Sequence, residues 1–144
     1  MKAILVSKRF NPGHISHLEA NAKLLEENGY EVQFNVHANF IPFLSYNIQG
    51  SEAGFFSYYL LSKGDLVITW FPSISVLFEI IFVKIFTKAT AVYVYHEPYT
   101  SFSSYRSAGF SRLKAVRVAA ISLVSLTICA LCDKIILPST GALE

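Results

Sequence analysis

Charge is what this chain has least of. Asp, Glu, Lys and Arg make up 15% of its 144 residues while 53% are hydrophobic, against roughly 25% charged residues in an average soluble domain. That length is one domain with a real core, but the polar surface is too sparse to cover it. Another domain, a partner or a lipid surface is therefore expected over part of it. The net charge of +2 is too small for a sequence-independent grip on nucleic acid, so no nucleic-acid partner is expected. Neither G-x-G-x-x-G nor a P-loop is present, which removes the strong nucleotide fingerprints. No secretory signal is visible, the apolar start Ala3–Val6 being too short for an h-region; the cytoplasm is the expected compartment. The longest uncharged apolar run, Val118–Cys132, has 15 residues, short of the ~20 that span a bilayer. With Ser122, Ser125 and Thr127 inside it, it reads as a helix buried in the core or lying on a membrane.

Cysteine and metal-ligand patterns are equally thin. Cys129 and Cys132 form a C-x-x-C, but at the end of an apolar helix, the pole that does not lower a thiol pKa. No second pair completes a zinc site, so these two are expected to be buried core cysteines. His14 and His17 are three apart at a helix start, with no H-E-x-x-H and no close third ligand; capping or surface roles are expected. No metal and no cofactor is expected.

What is present alternates between strand and helix. Lys2–Ser7 is a short apolar strand, followed by a turn-rich loop, Arg9–His14. Ile15–Asn28 is helical, with Ile15, Leu18, Ala22 and Leu25 on one face and Gly29 as its stop. Glu31–His37 alternates and reads as a second strand, with His37 exposed at its end. Phe40–Gly50 reads as loop and Ser51–Ser62 as a helix. Leu66–Phe71 is continuously apolar, as in a parallel strand covered on both faces, and Pro72–Ser73 breaks it. Ile74–Thr87 is a helix apolar nearly all round. Ala91–Tyr95 is the fourth strand, Tyr99–Gly109 a long loop, Phe110–Leu131 a helix and Lys134–Leu137 a fifth strand closed by Pro138. Ser139–Glu144 looks like the first turn of another helix, so the 144 residues are expected to be the front part of a longer protein. The pattern predicts an α/β fold, a doubly wound parallel sheet of Rossmann-like type. The expected strand order, 3-2-1-4-5, places the topological switch between strands 1 and 4.

That order would bring Arg9–His14 and His96–Glu97 to one crevice. The run Val92–Tyr95 favours a strand, and Pro98 ends it, leaving His96 and Glu97 at the carboxyl edge where open α/β sheets bind ligands. Neighbours on an extended segment point oppositely, so His96 in the crevice leaves Glu97 for a structural contact. Gly13, with the helix start behind it, permits close approach of an anion; Lys8 and Arg9 tilt the loop the same way, and a plain turn is the alternative. From Arg106 to Arg117 there are four cations (Arg106, Arg112, Lys114, Arg117) and no anion, interleaved with Phe110, Leu113 and Val116. Such a helix suits an anionic membrane surface or a solvated helix packed on the sheet. The Tyr99, Phe102 and Tyr105 loop before it could dip into the interface.

In this order, K-A-I-L-V-S at 2–7, the N-P-G-H loop, H-L-E-A-N-A-K-L-L-E-E-N-G-Y-E-V at 17–32, G-D-L-V-I-T-W at 64–70, V-Y-V-Y-H-E-P at 92–98 and C-D-K-I-I-L-P-S at 132–139 resemble the N-terminal domain of GT-B glycosyltransferases of the family 4-like group. The likeness covers nearly the whole chain. It implies the N-terminal half of a GT-B architecture and retaining transfer of a sugar from a nucleotide-sugar donor to a glycan or lipid-linked acceptor, without a required metal. In that family this domain mainly binds acceptor. The resemblance puts Gly13 at the donor diphosphate and His96 at the transferred sugar; beside them, His14, Glu97 and Tyr99 are taken as further candidate substrate-binding residues. It also puts Arg106, Phe110, Arg112, Lys114 and Arg117 on an inner-membrane surface, making the protein peripheral to that membrane. Where the family's first loop often has paired glycines, this chain has Pro12–Gly13. The nucleotide would be held mainly by a C-terminal domain outside these residues, so the chain alone is expected to be inactive.

Overall fold

The computed structural model describes residues 1–45, 54–95 and 101–137. Five strands, β1 (Lys2–Ser7), β2 (Glu31–Val36), β3 (Leu66–Thr69), β4 (Thr90–Val94) and β5 (Lys134–Ile136), form one sheet. Every pairing is parallel. Helices cover both faces, so the fold is a doubly wound Rossmann-like α/β sheet. α1 (Ile15–Glu27) lies on one face, and α2 (Ile74–Phe86) and α4 (Arg112–Leu131) pack side by side on the other. A short α3 (Phe102–Ser107) leads into α4.

The strand order is β2-β1-β3-β4-β5, which corrects the expected 3-2-1-4-5. The reason lies in the side chains. β2 alternates Glu31, Gln33 and Asn35 with Val32 and Phe34, and this half-polar pattern tolerates an edge. The continuously apolar β3 is buried from Val67 to Thr69 and takes the interior place beside β1. The switch therefore falls between β1 and β3, and β4 is one strand removed from β1.

Each helix is punctuated by its sequence. Asn11 Oδ1 accepts from Gly13 N (3.0 Å) and starts a 3-10 turn, Pro12–His14, that runs into α1. Gly29, at φ 83°, ends α1 as Tyr30 N donates back to Leu25 O (3.0 Å). Ser73 Oγ caps α2 by accepting from Val76 N (3.1 Å), and Ser111 Oγ caps α4 by accepting from Lys114 N (3.4 Å).

Several expected elements differ. The described part of 40–50 holds a 3-10 helix, Ala38–Phe43, where Phe40 is buried. In the described part of 51–62 the expected helix is a 3-10 helix, Phe55–Leu60. The expected loop at 99–109 contains α3, capped by Ser101. The helix α4 has 20 residues and is long and apolar enough to cross a membrane by length and composition. Along it only Ala115, Ser125 and Ile128 are buried, so it is not the core helix that its composition resembles. Cys129 and Cys132 are free and half-buried rather than fully buried. Burial, then the neighbouring Cys129 and Asp133, push the Cys132 thiol up to about 12, and burial raises Cys129. Both thiols stay protonated near neutrality, the opposite of a redox pair. The expected helix start at Ser139–Glu144 lies outside the described residues.

Candidate functional site

Parallel strands present a crevice outside their carboxyl ends where the order reverses. Here that place is bounded by the Asn11–His14 turn after β1 and by Trp70–Phe71 after β3. An open crevice of about 280 Å³ sits there, lined by Asn11, Gly13, His14, His17 and Phe71. A larger hollow of about 410 Å³ opens at the amino edge beside Met1, Lys2, Glu31 and Asp65. The carboxyl-edge crevice is the better candidate, because of these two hollows it is the one lined by a helix start, Gly13–His17.

His14 forms its inner wall. The ring is buried and meets three others edge-on: Phe71 at 4.8 Å, Trp70 at 5.2 Å and His17 at 5.6 Å between centroids. Trp70 is itself buried and fixed to β1 through its backbone N, which donates to Val6 O (3.2 Å). Phe71 has a left-handed backbone at φ 48°, the one positive φ among the described non-glycine residues. For a bulky residue this conformation costs roughly 1–3 kcal/mol and persists where surrounding structure imposes it, often at ligand sites. Gly13 is exposed at the lip; a Cβ there would meet Asn11 Oδ1 at an ordinary 3.5 Å. The positive end of the α1 dipole faces this turn. Together these features can hold a small polar or anionic group against an aromatic and imidazole wall.

The expected site residues fall into separate groups. Gly13 and His14 are in the crevice, His14 as buried wall rather than cap or surface. His96, Glu97 and Tyr99 lie outside the described residues. The correction in strand order means that Arg9–His14 faces Trp70–Phe71 rather than the end of β4. Arg106, Phe110 and Lys114 come together at the α3–α4 corner: Arg106 Nη1 donates to Phe110 O (2.6 Å), and Lys114 Nζ sits 4.4 Å from the Phe110 ring centroid. Arg112 and Arg117 are exposed on α4. Lys8 does not serve the crevice. It turns to the α2 face, where Nζ pairs with Glu79 (3.3 Å) and donates to Asn35 Oδ1. His37 is exposed, as expected, and its Nδ1 accepts from Asn39 N (3.2 Å).

Sequence reasoning did not select Asn11, Phe71 or Trp70 as site residues; it weighed His17 as a metal ligand and expected a capping or surface role, and His17 is exposed. The available signals were the Asn that precedes Pro12–Gly13, a common N-cap, and the aromatic pair before Pro72. Among the described residues no group of three or more His, Cys, Asp or Glu side chains is placed to hold a metal ion. Comparison with protein-family models, curated proteins and solved structures finds no match.

Proposed function

We propose that this chain is the acceptor-side, N-terminal half of a GT-B glycosyltransferase. Its reaction is retaining transfer from a nucleotide-sugar to a glycan or lipid-linked acceptor at the cytoplasmic face of a membrane. The observation that carries this reading is the crevice at the β1/β3 switch, where a glycine turn, a helix start and the His14–His17 pair share one opening. The order of motifs from K-A-I-L-V-S to C-D-K-I-I-L-P-S supports it. In this reading Gly13 approaches the donor diphosphate, and His14 shapes the wall behind it. His17 contacts substrate from the first turn of α1. His96 touches the transferred sugar from the segment after β4, with Glu97 and Tyr99 beside it. Most of the nucleotide is held by a C-terminal domain, fused or separately encoded.

The test is transfer of labelled sugar from nucleotide-sugar donors into the lipid and glycan fractions of cells carrying the intact gene. His96→Ala is expected to lower transfer by about 10²-fold, the scale of a lost positioning or proton-handling contact. His17→Ala, an exposed change that spares the core, is expected to lower it about tenfold. Full transfer by both variants would contradict the reading.

The uncovered helix layer described next favours a second reading, a non-catalytic subunit that binds a membrane and recruits a separately encoded transferase half. In that case the same variants leave transfer unchanged, while loss of the whole chain displaces the partner from membranes.

A further inference from the structure

The two helix layers of the sheet differ in what they turn outward. α1 exposes Ser16, His17, Lys23, Glu26 and Glu27 around one large apolar side chain, Leu24, a mostly polar solvated face. On the other layer α2 exposes Ile74, Phe78 and Ile85, with Ile81 half-buried between them, a stripe at helical spacing without a charge. Beside it α4 exposes Leu113, Val116, Ala120 and Leu123. The 3-10 helix Phe55–Leu60 adds Phe56, and is joined to α2 by a chain of rings, Tyr59 to Phe82 at 4.7 Å and Phe82 to Phe86 at 4.8 Å. Phe78 is 66% exposed, Leu113 81% and Phe56 81%. Large apolar side chains this open amount to on the order of 1,000 Å², above the ~300–600 Å² of the largest patch on a typical monomer.

Charge decides what covers this layer. Among the described residues its acids are Glu79 and Asp133, and each is already paired with a lysine, Lys8 and Lys84. Arg112, Lys114 and Arg117 are exposed and have no acidic partner among the described residues. An apolar layer edged by cations alone complements an anionic lipid surface. A transmembrane position for α4 does not fit its anchorage. Ala115, Ser125 and Ile128 are buried at both ends of the helix, and Ser125 Oγ is hydrogen-bonded to Tyr93 OH of β4 (2.8 Å).

We infer that the whole α2–α4 layer, with Phe56 beside it, lies face-on against an anionic bilayer, α2 sunk at the level of the acyl chains and the α4 cations at the headgroups. This deepens the membrane part of the proposed function by moving the main apolar contact to α2, and it does not depend on the transfer chemistry.

The test uses the whole chain with Phe78→Trp and vesicles of phosphatidylcholine and phosphatidylglycerol that carry brominated acyl chains. Trp70 is buried and supplies a constant background. The expected result is a blue shift and quenching of the introduced indole, weakened in pure phosphatidylcholine. Phe78→Ser combined with Ile85→Ser is expected to lower partitioning by about tenfold or more. Leu24→Ser, exposed on α1, is expected to leave it unchanged. All three are surface changes, and circular dichroism checks their fold. Absence of partitioning would overturn the inference, and so would partitioning without quenching at position 78, which would confine contact to the basic end of α4. A blue shift without lipid, accompanied by a dimer in sedimentation, would also overturn it in favour of a second copy. Failure here leaves the crevice reading standing, and failure of the transfer assay leaves this one standing.

Discussion

Glu79 anchors a polar network in the interior of the described residues. It is buried in α2, yet accepts from Tyr58 OH (2.6 Å), Asn35 Nδ2 (3.1 Å) and Ser75 Oγ (3.4 Å) while pairing with Lys8 (3.3 Å). Burial, and then the charge of Glu79, holds the Tyr58 hydroxyl protonated far above the ordinary tyrosine range. Removing one partner of a buried polar set leaves the others desolvated and unmatched. Glu79→Ala is therefore expected to cost about 3 kcal/mol and Tyr58→Phe about 1 kcal/mol, measured by urea unfolding; equal losses would contradict a network centred on Glu79. None of this was legible in the sequence, where Glu79 is one charge on an apolar helix and Lys8 reads as an anion contact. The pairing depends on β1 alternation carrying Lys8 to the α2 face. Nor could the sequence announce the left-handed backbone of Phe71, which packing imposes on a residue that would avoid it.

At the scale of elements, local chemistry was readable and exposure was not. α1 and α2 lie within one residue of their expected bounds because Asn11, Gly29 and Ser73 are strong punctuation. α3 was missed because a serine-rich stretch favours caps and turns as readily as helix. The apolar composition of α4 left a buried and a membrane-lying helix both open, and a narrow seam of Ala115, Ser125 and Ile128 is what docks it. The amino edge shows how a turn is tied to the sheet. Asp65 accepts from Lys2 N (2.6 Å) and Ser62 N (2.8 Å), joining the start of β1 to the turn before β3. Burial pulls the Asp65 pKa up, but these amide hydrogen bonds outweigh it and hold it below the usual value. A carboxylate with a lowered folded-state pKa adds stability that is present above its unfolded pKa, ~3.9 for Asp. That contribution is lost as pH falls through the lower folded value. Asp65→Asn is thus expected to destabilise the protein near neutral pH and to flatten its loss of stability in acid, read from thermal unfolding across pH 2–7; an unchanged acid slope would contradict it.

At the scale of the whole molecule, the fold class was legible because alternating apolar strands and capped helices leave few other solutions. The strand order was not, because a right-handed crossover permits β3 to add on either side of the first pair. Side-chain polarity settles it: β2, with Gln33 and Asn35, takes the edge, and β3 the interior. That one difference moves the switch point, gives Gly13 and His14 the neighbours Trp70 and Phe71, and makes the crevice between β1 and β3 the place where function is to be sought. The most direct test is an NMR titration of the intact protein, this chain together with its donor-binding C-terminal half and isotope-labelled over these 144 residues, with UDP-glucose and GDP-mannose, followed through backbone amides and histidine rings. The account predicts saturable shifts at Gly13, His14, His17 and Phe71 for at least one of the two, abolished by His17→Ala. Shifts confined to Met1, Lys2, Glu31 and Asp65 at the amino edge, or none with either nucleotide-sugar, would contradict it.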